Sequence, residues 1–311
     1  LSRVESRAAR AKRRDQVTRE TTVSVAEKGL APGYQRISVA PVSGVLGADV
    51  DGVDLATEFD DQVVVEIHRA FLDHHVLFFR DQELTPETQM AFGRRFGTLG
   101  AHPFVAGRSD HPEVIELVTE PDDKVNFGGG WHTDVTFLEE PDLGSILYAV
   151  EVPPYGGDTL FADQQAAYEA LPEATRAKLD GLVALHSPVP QYGAGGYSTQ
   201  SRSMQTTTAD DADQATRHPV VRTHPETGRK GLYVNRAFTI GIDGMPPDES
   251  ARLLEKLFVH ATREAFTCRF RWRPGSLAMW DNRCVQHYAL HDYKGRRRHM
   301  RRITICGDRP R

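Results

Sequence analysis

An imidazole and a carboxylate stand two residues apart in GGGWHTDVTF (residues 128–137): His132 and Asp134, with Trp131 before them and Val135 after. Side chains alternate along a strand, so positions i and i+2 point the same way. Read as a strand, this stretch puts His132 and Asp134 on one face and Thr133 on the other. A neutral imidazole nitrogen beside a carboxylate oxygen can chelate a divalent metal, although a hydrogen-bonded surface pair explains HxD as well. WDNRCVQHYAL supplies a third candidate, His287, in an apolar strand after a turn. Two histidines and one carboxylate form the facial triad of non-haem Fe(II) sites, which leaves open positions on the metal. Zinc hydrolases also use three protein ligands and a water, so the triad alone leaves both chemistries standing. His68, His74, His75 and His260 lie on or just after helical stretches and read as solvent-side or packing residues.

KGRRRHMRRITICGD separates the two chemistries. If residues 298–306 form a strand, Arg298, Met300 and Arg302 share one face, and His299, Arg301 and Ile303 the other. Inward guanidinium groups are costly unless anions pair with them, and a guanidinium offers a bidentate fork for carboxylate or sulfonate. A basic, solvated edge strand is the plainer alternative. Two anions beside an open Fe(II) site suit an enzyme that uses 2-oxoglutarate and an acidic second substrate. Arg301 has no evident role in this pattern.

The ordered motifs HTD, PPYGGDTLFAD, HPVVRTHPETG, WDNRCVQHY and RRRHMRRITICGD, from about Val39 to Asp308, resemble the taurine dioxygenase branch of the Fe(II)/2-oxoglutarate-dependent oxygenases. The resemblance implies a mainly β fold with peripheral helices (α+β), built on a double-stranded β-helix (jelly-roll) core. It implies His132, Asp134 and His287 as iron ligands, and Thr159 and Arg298 as the grip on the far carboxylate of 2-oxoglutarate. Arg302, helped by His102, would face the anionic end of the substrate, with Trp131, Asn235 and Phe238 lining its pocket. Fe(II), 2-oxoglutarate and O2 are the implied cofactor and co-substrates, and a homodimer or homotetramer the implied assembly. The expected reaction hydroxylates a carbon next to sulfonate or sulfate, so that the product collapses to an aldehyde and sulfite or sulfate.

The chain departs from the taurine pattern in two places. Taurine enzymes of the family carry polar residues just before the tryptophan of WHTD, and an aromatic hydroxyl shortly after the His-Pro. This chain has Gly128, Gly129 and Gly130 in the first place and Phe104-Val105 after His102-Pro103 in the second. The anion-binding half survives and the amine-binding half is lost. The expected substrate is therefore a less polar or larger small anion: an alkyl sulfonate, an alkyl sulfate ester or a carboxylate. A zinc hydrolase and a non-catalytic cupin-like binding protein are the rival classes.

Those residues need a scaffold, and the surrounding pattern describes one. Short β runs (EVIELV, DVTFL, SILYAV, DTLFAD, CRFRW, SLAMWD, VQHYAL, MRRITICG) alternate with turns, and no βαβ repetition suggests a Rossmann sheet. DDQVVVEIHRAFLDHH places Val63, Val64, Ile67, Ala70 and Phe71 on one helical face, with Asp60 or Asp61 at its start. Thr85-Pro86 opens a second helix that turns Met90, Ala91 and Phe96 inward. A third, around PDESARLLEKLFVHAT, buries Leu253, Leu257 and Ala261. Pro-Glu-Thr-Gly (225–228) reads as a hairpin turn. The polar stretch 187–216 exceeds the length of an ordinary loop and reads as a lid. The chain thus divides into a basic N-terminal extension, 1–33, and one domain, 34–311.

Three scattered cysteines with no CxxC pair suit a reducing cytoplasm rather than a disulfide framework. A net charge of −5 gives no reason to expect nucleic acid, and no apolar run is long enough for a membrane span.

Overall fold

The computed structural model describes residues 33–209 and 215–311. The basic extension, apart from Gly33, and positions 210–214 of the expected lid lie outside the described residues. A hairpin of β1 (Ser38–Pro41) and β2 (Ala48–Asp51) precedes helix α1 (Asp61–His74). Asp60 caps α1 by accepting the Val63 N–H. Val63, Ile67, Ala70 and Phe71 are buried as the helical period demands, while Val64 is only half-buried. Glu66 joins the buried face because its carboxylate accepts the N–H groups of Gln35, Arg36 and Ile37.

Strand β3 (Val76–Phe79) and helix α2 (Pro86–Arg94) follow. Thr85 and Thr88 cap α2 reciprocally, with Pro86 at its first position. Met90 and Phe92 are buried, whereas Ala91 is exposed and Phe96 half-buried, so the inward face is rotated from the expected one.

The rest of the sheet framework is β4 (Leu99–Gly100), β5 (Ile115–Thr119), β6 (Gly144–Glu151) and β7 (Thr159–Asp163). Short helices α3 (Gln164–Glu169) and α4 (Glu173–Leu179), strand β8 (Val183–His186) and the one-turn helix α5 (Val189–Tyr192) come next. After them run β9 (Thr216–Pro219), β10 (Val221–Thr223), β11 (Lys230–Leu232) and β12 (Thr239–Ile242). Helix α6 (Pro247–Ala261) then leads into β13 (Thr267–Phe270), β14 (Leu277–Asp281), β15 (Val285–Ala289) and β16 (Arg298–Ile305). β10 and β11 are the hairpin expected around Pro-Glu-Thr-Gly. Helix α6 buries Leu254, Leu257 and Ala261, with Leu253 only half-buried.

The eight-stranded sheet has the order β1-β2-β3-β14-β6-β16-β4, with β5 also beside β16. Its pairs are antiparallel except β2–β3. A three-stranded sheet, β13-β7-β15, faces it. Alternation divides the residues of the large sheet between two cores. Phe78, Ala278, Trp280, Leu147 and Met300 meet Phe161, Phe270 and Val285 of the small sheet. Phe79, Met279, Ile146 and Ile303 instead meet Ile67, Phe71 and Phe92 of the helices. This is the mainly β, jelly-roll architecture expected from the sequence. Among the described residues no helix is long and apolar enough to cross a membrane.

Arg301, unexplained in the sequence, acquires a role here. It is buried, donates from Nε to Gln89 Oε1 (2.7 Å) and from Nη2 to Leu84 O (2.6 Å), and lies over the Tyr148 ring. Gln89 Nε2 in turn donates to the Ile146 and Arg301 carbonyls. Helix α2 is thereby tied to the two strands behind Arg302. Arg298, Met300 and Arg302 do face the space between the sheets, as strand alternation implies.

Candidate active site

His132 and Asp134 converge by a route that strand alternation does not describe. Only His132 pairs as a strand residue, in an isolated bridge with His287 (N–H to O, 3.1 and 2.8 Å). The chain then turns: DVTFL is no strand, and Val135 has φ +43°, a backbone region rare for a β-branched residue and characteristic of functional sites. The turn brings Asp134 Oδ1 to 3.6 Å from His132 Nε2 and 3.9 Å from His287 Nε2. All three side chains are buried, and their ligating atoms lie within 4.8 Å of one another. Thr133 points away and donates to the Val285 carbonyl.

Neighbouring groups orient this cluster. His132 Nδ1 donates to the Gly130 carbonyl (2.7 Å), which leaves the Nε2 lone pair facing inward. Ser145 donates to Asp134 Oδ2 (2.7 Å), Asn282 to Ser145, and Trp280 to Asn282. Burial opposes ionisation of Asp134, but the Arg302 guanidinium and the Ser145 hydrogen bond outweigh it and hold the carboxyl well below its usual range. Burial also lowers both imidazole pKa values, with the Arg302 guanidinium adding to the effect, so both rings stay neutral and keep a lone pair for a metal. A neutral, preoriented His-Asp-His set fits a divalent metal.

A second cluster, His224, Asp281 and Cys284, escaped the sequence reading. Both Asp281 oxygens are engaged by Arg283, one also by His224, and the Cys284 thiol is kept protonated by burial and by Asp281. It is a closed ion-pair network.

Two cavities meet at His132. Thr159, Arg298, Thr119 and Trp280 line the inner one, with His287 and Arg302 near the cluster. Trp272 Nε1 donates to Thr159 Oγ1 (2.9 Å), which leaves the threonine proton to be donated elsewhere. Arg298 is buried, and its Nε and Nη2 have no partner. Asp158, an acid whose charge acts on Arg298, is held by Arg269 (2.6 Å). Gly157 (φ +71°) makes room, since a Cβ there would come within 3.3 Å of the Arg298 side chain. An unpaired buried guanidinium beside a free hydroxyl donor is suited to a carboxylate ligand.

The outer cavity, about 210 Å³, is lined by His102, Trp131 and Phe238 together with Phe127, Tyr192 and Tyr197. Asn235 does not line either cavity, contrary to expectation. It lies beneath, donating to Thr136 Oγ1 and accepting the Phe238 N–H, and so holds the Phe238 turn in place. Arg302 lines the inner cavity and donates to Asp134 Oδ1 (3.0 Å), its Nε remaining unpaired. His102 Nδ1 accepts the Phe104 N–H. Burial, reinforced by Arg302, pushes its pKa down to about 3.

Tyr192 and Tyr197 come from the polar stretch 187–216 and were not singled out in the sequence. Helix α5 and the 3-10 turn Ser198–Gln200 have no long apolar periodicity that would have marked them. The glycine run shapes the same wall. Gly128 adopts φ +75°, and a Cβ on Gly129 would stand 2.5 Å from the Tyr197 hydroxyl and 2.9 Å from the Asn126 carbonyl. Gly129→Ala is therefore expected to dislodge Tyr197 and to weaken ligand binding in the outer cavity about fivefold, a loss of about 1 kcal/mol. Binding titrations of the variant and the wild type check this.

Fold and site together describe a jelly-roll enzyme with a buried His-Asp-His metal site between two ligand cavities. The chain belongs to the Taurine catabolism dioxygenase TauD, TfdA family, whose profile matches residues 38–304. It is 36% identical over 277 residues to the alkylsulfatase of Acinetobacter baylyi, covering 88% of this chain and 86% of that protein. It is 37% identical over 295 residues to the alpha-ketoglutarate-dependent sulfate ester dioxygenase of Pseudomonas putida (93% and 95%). A taurine dioxygenase structure from Burkholderia xenovorans superposes with a TM-score of 0.74 at 39% identity, covering 89% of this chain and 91% of its own. AAD-2, solved with Mn(II) and N-oxalylglycine, gives 0.72 at 31% identity (89% and 99%).

Proposed function

We propose that the protein is an Fe(II)- and 2-oxoglutarate-dependent dioxygenase that hydroxylates alkyl sulfates or alkyl sulfonates. The observation that carries this is the pair of cavities meeting at the triad: one ends in an unpaired buried guanidinium, the other in an apolar, aromatic-rich wall. His132, Asp134 and His287 would hold the iron, which supplies oxidative decarboxylation of 2-oxoglutarate by O2 and hydroxylation of a nearby C–H bond. Arg298 and Thr159 grip the far carboxylate of 2-oxoglutarate. Arg302 and His102 hold the substrate's anionic head, and Trp131, Phe127 and Phe238 take its tail. The names of the alkylsulfatase and sulfate ester dioxygenase relatives support this choice of substrate.

Tyr192 and Tyr197, from the described part of the expected 187–216 lid, wall the outer cavity and would exclude water once the substrate is seated. A hydroxyl placed on the carbon that carries the ester oxygen gives an unstable hemiacetal sulfate. As its hydroxyl loses a proton, the C–O bond to sulfate breaks, leaving an aldehyde and sulfate. A sulfonate hydroxylated on the carbon that carries sulfur instead breaks its C–S bond as the hydroxyl loses a proton, leaving an aldehyde and sulfite.

Anaerobic visible titration of the Fe(II)-loaded protein with 2-oxoglutarate, then with hexyl sulfate, tests the proposal. A charge-transfer band on the first addition, perturbed by the second, and sulfate release once air is admitted are expected. No band at full iron occupancy would overturn it.

A further inference from the structure

The headgroup end of the outer cavity contains one more polar group than the proposed function uses. Tyr192, on helix α5, is buried among Phe104, Phe137 and Phe238. Its hydroxyl lies 3.3 Å from His102 Nε2. The protons can be assigned from the other end of the chain. Phe104 N–H donates to His102 Nδ1 (3.0 Å), so the proton of the neutral ring is on Nε2. His102 Nε2–H then donates to the Tyr192 oxygen, and the tyrosine's own proton remains to be given. Ser198, the neighbouring hydroxyl, gives its own proton to Gln191 Oε1 (3.1 Å) and so does not donate to Tyr192, whose one side-chain hydrogen bond among the described residues is the one to His102. Burial raises the phenol pKa, with Arg302 and Asp134 also acting on it, so the group stays protonated.

The Arg302 guanidinium, which lines the inner cavity and whose Nε is unpaired, lies close enough to act electrostatically on both His102 and Tyr192, so it joins His102 Nε2–H and the Tyr192 hydroxyl as a third donor where the two cavities meet. We infer that Tyr192 is a specificity-determining residue whose hydroxyl donates the third hydrogen bond to the substrate head, selecting a sulfo group over a carboxylate. A sulfate or sulfonate has three terminal oxygens for three donors. A carboxylate has lone pairs enough for three donors but confines them to the plane of its two oxygens, so it meets three converging donors with poorer geometry than the tetrahedral fan of a sulfo group, which weakens its binding. An entering sulfo oxygen replaces the tyrosine oxygen as acceptor for His102 and itself accepts from Tyr192, so the lid helix and the headgroup settle together. The inference rests on the headgroup site of the proposed function and adds a residue and a selectivity to it.

Tyr192→Phe keeps the ring and its packing and removes only the hydroxyl. Dissociation constants for hexyl sulfate and hexanoate are measured by anaerobic calorimetry on the Fe(II)·2-oxoglutarate enzyme, with the charge-transfer band recorded in parallel. The expected result is about tenfold weaker hexyl sulfate binding in the variant, hexanoate binding changed less than threefold, and an unaltered band. Equal losses for both anions would make Tyr192 a packing residue, and an unchanged sulfate affinity would remove it from the headgroup site; either overturns the inference alone. A wild-type enzyme that forms the band yet binds neither anion would overturn the headgroup reading of the proposed function, and the inference with it.

Discussion

Asp134→Ala is expected to lower ferrous-iron affinity by far more than 100-fold and to reduce turnover to background. Groups that merely orient metal ligands are worth about 10- to 100-fold in affinity, and Asp134 is the carboxylate proposed to ligate the iron and the electrostatic centre of its site. Its Oδ1 lies between the two imidazoles and accepts from Arg302 at 3.0 Å. Removal leaves the Arg302 guanidinium, only 3% exposed, without its hydrogen-bonded carboxylate partner. The metal then loses a ligand and meets an uncompensated cation. Breaking a buried ion pair on one side costs about 3–5 kcal/mol, so the metal-free variant should also melt well below the wild type. Ferrous-iron titration and calorimetric melting are the measurements. Wild-type iron affinity in Asp134→Ala would remove Asp134 from the metal site.

The same residues show how far the sequence could be read. His132, Asp134 and His287 were recognisable by type and order, but the geometry assumed for them was only half right. His132 pairs with His287 as a strand residue, while the positive φ at Val135 turns Asp134 inward by a path that period-two alternation cannot foresee. Alternation did work where a real strand exists: Arg298, Met300 and Arg302 share a face along β16. The partner of Arg301 could not be read, because Gln89 is over 200 residues away and only the sheet order brings α2 behind β16. Tyr192 stayed hidden because a helix of four residues has no periodicity to detect. Asn235 was assigned to the pocket wall, but its side chain is spent on the turn beneath. The lesson is specific. Residue type and strand period reveal ligands and inward cations, whereas the donors that complete a site depend on contacts between distant segments.

Arg298→Met separates stability from binding. A guanidinium with two unpaired nitrogens, shielded from water and flanked by an acid already committed to Arg269, is a cost to the ligand-free fold. Burial itself disfavours its charge, which lowers its pKa. Methionine fills similar volume without charge, and replacing buried charges with apolar residues is often neutral or stabilising by about 1–4 kcal/mol. The ligand-free variant should therefore melt no lower than the wild type. Binding of 2-oxoglutarate should move the opposite way. Losing one partner of a buried charge pair costs about 2–5 kcal/mol, which corresponds to a rise in the 2-oxoglutarate dissociation constant of roughly 30- to 5000-fold. Thermal melts with and without 2-oxoglutarate read both effects together. At 100 times its dissociation constant the ligand should stabilise the wild type by about 2.7 kcal/mol, and at the same concentration it should barely shift the variant. A variant that is less stable alone yet still stabilised by 2-oxoglutarate would make Arg298 a structural cation and place the far carboxylate elsewhere.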